Sequence, residues 1–137
     1  MIRSHSLAAW CILWSTAGVA SAAHIDCTVQ AGQFEKQVRV QGNTDVYVFE
    51  KLDTPSGFRF AAQWLVPSNK LKTYVYYHGS KDRFALVHAA EKGLIEQDCR
   101  PPSTLTRVYS ERMEYELSYQ CQWVCDAPST AKSKDTP

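Results

Sequence analysis

Cys121 and Cys125 stand four residues apart in the segment "MEYELSYQCQWVC" (113–125). Two thiolates at that spacing, with His24, His78 or His88, could ligate a metal or form a redox pair. Structural zinc sites usually draw on two closely spaced ligand pairs, and no second pair accompanies this one. Glu114 and Glu116 lie two residues apart in the same segment. In an extended strand their separation is ~7 Å, near the carboxylate spacing of a glycosidase, yet nothing nearby separates an acid from a base. A serine nucleophile would need a histidine and an orienting carboxylate, and no Gly-x-Ser-x-Gly elbow is present. His78 and His88 fall on or beside apolar strands, where a hydrogen-bonded, partly buried histidine is the simpler reading. The residues give no catalytic constellation. A non-enzymatic protein without a cofactor or metal is expected.

The compartment decides the cysteine chemistry. Arg3 and His5 precede an apolar run from Leu7 to Ala20, and Ala20-Ser21-Ala22 follows. A basic start, a short apolar core and small residues before the cut describe a secretory signal peptide at residues 1–22. The run is shorter than the ~20 residues that span a bilayer. The mature chain, Ala23 to Pro137, is then one domain with a periplasmic or secreted location and no membrane span. The whole chain has 15 basic and 14 acidic residues; losing Arg3 leaves the mature part neutral. A nucleic-acid binder would need a basic surplus, so a protein partner is the better expectation. Of five cysteines, Cys11 leaves with the signal. Cys27, Cys99, Cys121 and Cys125 remain, and an even count in an oxidising compartment reads as two disulfides.

The chain after the signal reads as strands. "HIDCTVQ" and "FEKQVRVQ" come first, followed by "GNTD" (42–45), a turn that predicts a hairpin with "VYVFEKL" (46–52). "FRFAAQWLV" (58–66) sets Phe58, Phe60, Ala62, Trp64 and Val66 on one face, and "KLKTYVYYH" (70–78) sets Leu71, Thr73, Val75 and Tyr77 on one face. Residues 83–93 fit either a strand, through Phe84, Leu86 and His88, or a short helical turn, through Ala85, Ala89, Ala90 and Glu91. "CRPPST" (99–104) must be a loop, and "LTRVYS" then forms a hairpin with the last strand. In that strand Met113, Tyr115, Leu117, Tyr119, Cys121 and Trp123 share a parity and are expected to supply core. Residues 126–137 contain no large apolar side chain and read as a disordered tail. The fold class is mainly β: a small antiparallel barrel or sandwich of six to eight strands, with at most one short helix and two disulfides, over a single domain at 23–125.

Strand geometry limits the pairing. Cys121 and Cys125 are ~13 Å apart along a strand, whereas a disulfide needs Cα atoms within about 7 Å. Each must therefore reach Cys27 or Cys99. A hairpin centred on Ser110 and antiparallel first and last strands favour Cys99–Cys121 with Cys27–Cys125 over the alternative pairing. Among the remaining residues, Tyr74, Tyr76 and Tyr77 followed by His78 place tyrosines on both faces of one strand. Exposed tyrosine beside Lys72 and Arg83 has the composition of a recognition surface, and cross-strand aromatic pairing would account for the same residues structurally.

At "SGFRF" (Ser56 to Phe60) and "YYHGSKDRFAL" (76–86) the chain resembles the C-type lysozyme inhibitor family. Those are small periplasmic or lipid-anchored β-barrels that plug the lysozyme cleft. The resemblance runs from Cys27 to Cys99. It implies that Ser56 inserts into a partner, that Arg59 supports its loop, and that Lys81 stands in for a lysine the family places before its glycine, where this chain has His78. Ser56, Arg59, Tyr76, His78 and Lys81 are thus the candidate binding residues. Segment 105–125 has no counterpart in that family. Two functions follow: an exported inhibitor or immunity protein against a cell-wall hydrolase or toxin, or a structural or assembly component of an envelope or secretion complex.

Overall fold

The computed structural model describes residues 24–79, 82–94 and 104–125. The proposed signal peptide, Lys81, Cys99, the "CRPP" of the proline loop and the tail lie outside these residues. Among the described residues nine strands form two sheets and no helix is present. The first sheet has the order β2 (Phe34–Val40), β1 (His24–Ala31), β9 (Glu116–Val124), β8 (Thr106–Tyr109). The second has the order β3 (Gly42–Asn43), β5 (Phe58–Leu65), β6 (Lys70–Tyr77), β7 (Ala85–Gly93). Strand β4 (Glu50–Asp53) pairs with the other half of the β5 edge. The sheets stay separate, so the architecture is a sandwich and not a closed barrel.

The alternating residues of both sheets meet between them. Ile25, Cys27 and Val29 of β1, Val38 and Val40 of β2, and Leu117, Tyr119 and Cys121 of β9 face Phe58, Phe60, Ala62, Leu71 and Val75. The Phe60 ring lies 5.0 Å from that of Tyr119 across the interface. Each fully buried side chain of this size contributes roughly 1.5–3 kcal/mol. A polar relay crosses the same core. Tyr119 Oη lies 2.8 Å from Thr73 Oγ1 and 3.1 Å from His88 Nε2, so three inward polar groups satisfy one another. Trp64 and Trp123 close one end of the sandwich edge-to-face at 4.7 Å.

Cys27 and Cys121 are joined in a disulfide with Cα atoms 4.0 Å apart. This corrects the favoured pairing. Strands β1 and β9 are antiparallel as expected, but their register sets Cys27 directly opposite Cys121, and His24 opposite Val124. A Cys27–Cys125 bridge would need a four-residue slip along β9. The β8–β9 hairpin also turns later than the centring on Ser110 implies, since its ladder begins at Tyr109↔Glu116. Cys125 is disulfide-bonded as well.

Three further expectations change. The turn at 42–45 makes no hairpin with 46–52: Gly42 and Asn43 pair in parallel with Trp64 and Leu65, and the chain rejoins the sheet at Glu50. Segment 83–93 is strand from Ala85 to Gly93, because pairing with β6 outweighs the helical preference of its alanines. Its only irregularity is a bulge at Val87. Last, Met113 and Tyr115 share the core parity of β9 but precede its ladder, and both are exposed. Strand β5 also buries both faces, with Ala61, Gln63 and Leu65 covered, while Val66 just beyond it is exposed.

Candidate functional site

Opposite the Trp64–Trp123 end, turns from both sheets converge. The β4–β5 turn is built around Thr54. Its amide donates to Phe58 O (2.8 Å), its carbonyl accepts from Gly57 N (3.2 Å), and Phe58 N donates to its hydroxyl (3.1 Å). Gly57 supplies the positive φ of 93° that this reversal needs. Gly57 O in turn accepts from His78 N at 3.1 Å, tying the β4–β5 turn to the end of β6. The first sheet contributes the β8–β9 tip. There Ser110 N donates to Tyr115 O (2.9 Å), Met113 N donates to Ser110 O (2.8 Å), and Tyr115 N donates to Ser110 Oγ (3.1 Å). A cleft of about 200 Å³ separates the two sides, lined by Tyr77, His78 and Gly79 across from Ser110, Glu111, Arg112 and Glu114. The Tyr77 and Tyr115 rings, 6.3 Å apart, link them.

The structure brings four of the sequence-predicted residues to this end, in two groups. Ser56 is half-buried in the β4–β5 turn, its Oγ 3.1 Å from Thr54 Oγ1, so its hydroxyl already has a partner. His78 lines the cleft and meets the Phe84 ring edge-on at 4.6 Å. Arg59 and Tyr76 are cross-strand partners on the outer face of the second sheet, away from the cleft. Arg59 grips Asp53 with two hydrogen bonds, 2.6 and 2.8 Å, and lays its guanidinium over Phe84 at 4.0 Å. The Tyr76 ring lies near-parallel to that of Tyr74, 6.4 Å away, and Tyr74 meets Phe49 edge-on at 5.6 Å. These tyrosines thus take part in the aromatic pairing that was the structural alternative. Lys81 lies outside the described residues.

The Arg59 hydrogen bonds hold the Asp53 carboxyl below the usual carboxylate range; burial opposes them, and the positive charge of Arg59 adds to them. A folded value below the unfolded one means that the pair stabilises the fold above about pH 4. That contribution is lost as the pH falls through the folded value. The pair is exposed to solvent, so the effect is modest. Thermal melts of the wild type and Asp53→Asn are expected to differ near neutral pH and to converge as the pH falls through the lowered value of Asp53.

The tip Ser110–Tyr115 was hidden by parity, because its alternating Met113 and Tyr115 continue the pattern of β9. Met113 is 71% exposed at a φ of 56°. A non-glycine residue in that region costs about 1–2 kcal/mol. Asn69, the other such residue described, is a type that tolerates the conformation, and its side chain explains its place: it accepts from Trp64 Nε1 (3.3 Å) and donates to Leu94 O (2.6 Å). Met113 has no comparable structural role.

A second exposed apolar feature sits away from this end. Val46, Tyr47 and Val48 project from the β3–β4 loop, with Tyr47 87% exposed. Asp45 Oδ1 accepts from Tyr47 N (2.8 Å), and the buried Gln63 donates to Asp45 O (3.0 Å), so the loop is held from below. The sequence assigned these residues to a hairpin strand and so missed the projection.

The described histidines are all placed by structural contacts. His88 bonds Tyr119, His78 packs on Phe84, and His24 Nε2 lies 3.3 Å from Asp26 Oδ2 without the alignment of a hydrogen bond. Glu116 opens β9 near Arg107 (3.7 Å), while Glu114 lies in the preceding turn, so the two carboxylates do not share a strand face. Cys121 is committed to Cys27, and no group of three or more His, Cys, Asp or Glu among the described residues could hold a metal ion. No helix among them is long and apolar enough to cross a membrane. Compared with family models, curated proteins and solved structures, the chain matches none.

Proposed function

We propose that the protein is an exported, non-catalytic binding protein that uses the turn-bearing end of its sandwich to engage a cell-wall hydrolase or toxin, as an inhibitor or immunity protein. The observation that carries this reading is the convergence of hydrogen-bonded turns from both sheets around one polar cleft, with an exposed apolar tip beside it. Turns fixed before contact lose little entropy on binding, which favours a tight complex. The disulfide is compatible with an oxidising, exported setting. The family resemblance at Ser56–Phe60 points the same way. The engagement of Ser56 with Thr54 shifts emphasis from that side chain to the end as a whole.

The test is a titration of the oxidised mature protein against purified muramidases and lytic transglycosylases. Stoichiometric inhibition of at least one is expected, with Ser56→Ala changing it by no more than about 3-fold, because that change sits outside a buried hot spot. Absence of inhibition or binding across the panel would remove the hydrolase reading. A second reading, as an assembly component of an envelope or secretion complex, is favoured by the braced Val46–Tyr47–Val48 projection, since tyrosine anchors are common in protein interfaces. Co-purification with a stable envelope assembly, lost in Tyr47→Ala, would support it.

A further inference from the structure

Met113 occupies a position where its own chain gains nothing from it. The side chain is mostly in solvent, and the backbone takes a conformation that glycine or asparagine adopts more cheaply. The tip is nevertheless well defined by the three hydrogen bonds that Ser110 makes with Met113 and Tyr115. Arg112 and Glu114 flank it, both exposed and neither in an ion pair among the described residues. Strain of this kind persists where it serves a purpose other than stability. From this we infer that Met113 is the inserting residue of the binding surface, entering an apolar pocket in a protein cleft whose rim offers an acid to Arg112 and a base to Glu114. The inference rests on the binding-protein reading and assigns its contact residue. Flanking charges of both signs suit a protein rim better than an anionic lipid surface, which would repel Glu114. The neighbouring cleft of a second copy is no apolar pocket, since Ser110, Glu111, Arg112 and Glu114 form one wall and His78 stands with Tyr77 and Gly79 in the other.

The experiment compares the oxidised mature wild type with Met113→Gly, Met113→Leu and the pair Arg112→Glu with Glu114→Arg. Each is titrated against a purified C-type muramidase and a lytic transglycosylase, and its melting temperature is measured alongside. Met113→Gly is expected to melt at or above the wild-type temperature while binding whichever enzyme the wild type binds at least 30-fold more weakly. Met113→Leu should stay within about 5-fold of wild type, since it keeps the apolar volume, and the charge exchange should weaken binding by roughly 10-fold. Wild-type binding with Met113→Gly within 2-fold of it would overturn the inference and leave the binding-protein reading standing. A marked fall in the melting temperature of Met113→Gly would also overturn it, by giving Met113 a structural role. So would Met113-dependent sedimentation with phosphatidylglycerol vesicles, or Met113-dependent self-association. A wild type that binds neither enzyme would overturn the hydrolase reading and the inference with it.

Discussion

Replacing Cys27 and Cys121 by alanine is expected to cost roughly 4–5 kcal/mol. The bond joins residues 94 positions apart, so in its absence the unfolded chain gains the freedom of nearly the whole domain. The chain-entropy estimate for a loop of that length is about 4.7 kcal/mol. Both cysteines are buried in the sheet–sheet core, so their removal also leaves unfilled volume. For a domain near 100 residues, 4 kcal/mol corresponds to a fall in Tm of about 15–30 °C. Either single substitution should cost nearly as much as both, because each alone breaks the bond. Urea denaturation of the three variants checks this, with a shared loss in midpoint as the expected pattern. Peptide mapping of the oxidised protein should recover Cys27 linked to Cys121. With Cys27 and Cys121 joined to each other, Cys99 is the cysteine of the expected mature chain left for Cys125. We therefore expect Cys99 to be the partner of Cys125.

Phe60→Ala is expected to cost about 3–5 kcal/mol. Phe60 is fully buried at the middle of β5, its ring against Tyr119 of the opposite sheet. Truncation opens a cavity that two hydrogen-bonded sheets cannot collapse to fill. Tyr119→Phe isolates the polar part of the same contact. It keeps the ring and strips Thr73 and His88 of the hydroxyl they share, for a cost of about 1–3 kcal/mol. By contrast, Arg107→Ala should fall within about 0.5 kcal/mol, because its contact with Glu116 is long and exposed. Chemical denaturation of the three variants gives the order Phe60→Ala, Tyr119→Phe, Arg107→Ala; any other order would contradict the packing described for the core.

The elements that the sequence made legible are those whose alternation one buried face dictates. Leu117, Tyr119 and Cys121 of β9, and Leu71, Thr73 and Val75 of β6, lie in the core as their parity requires. Alternation cannot show where a ladder starts: it assigns Met113 and Tyr115 to the core, although the hairpin turn claims them. It also cannot choose between partners. The turn at 42–45 was read as a hairpin because its residues permit one, yet Gly42 crosses to the second sheet and pairs with Trp64. Strand rise alone excludes a Cys121–Cys125 bond, and Cys121 is bonded to Cys27 instead. The favoured pairing misses by four residues because register depends on packing across strands distant in sequence. The site was legible in part: Ser56 and His78 do belong to adjoining turns. The cleft's other wall comes from a hairpin that enters only through the β1–β9 pairing, beyond the reach of any local pattern.

The claim that the turn-bearing end of the sandwich is the binding surface meets its most direct test in amide hydrogen exchange. The mature protein is compared alone and in complex with a hydrolase it inhibits. Protection on binding is predicted at Ser56–Gly57, Tyr77–Gly79 and Glu111–Tyr115, with the β3–β4 loop around Tyr47 unchanged. Protection confined to Val46–Val48, or to the outer face around Arg59 and Tyr76, would contradict it.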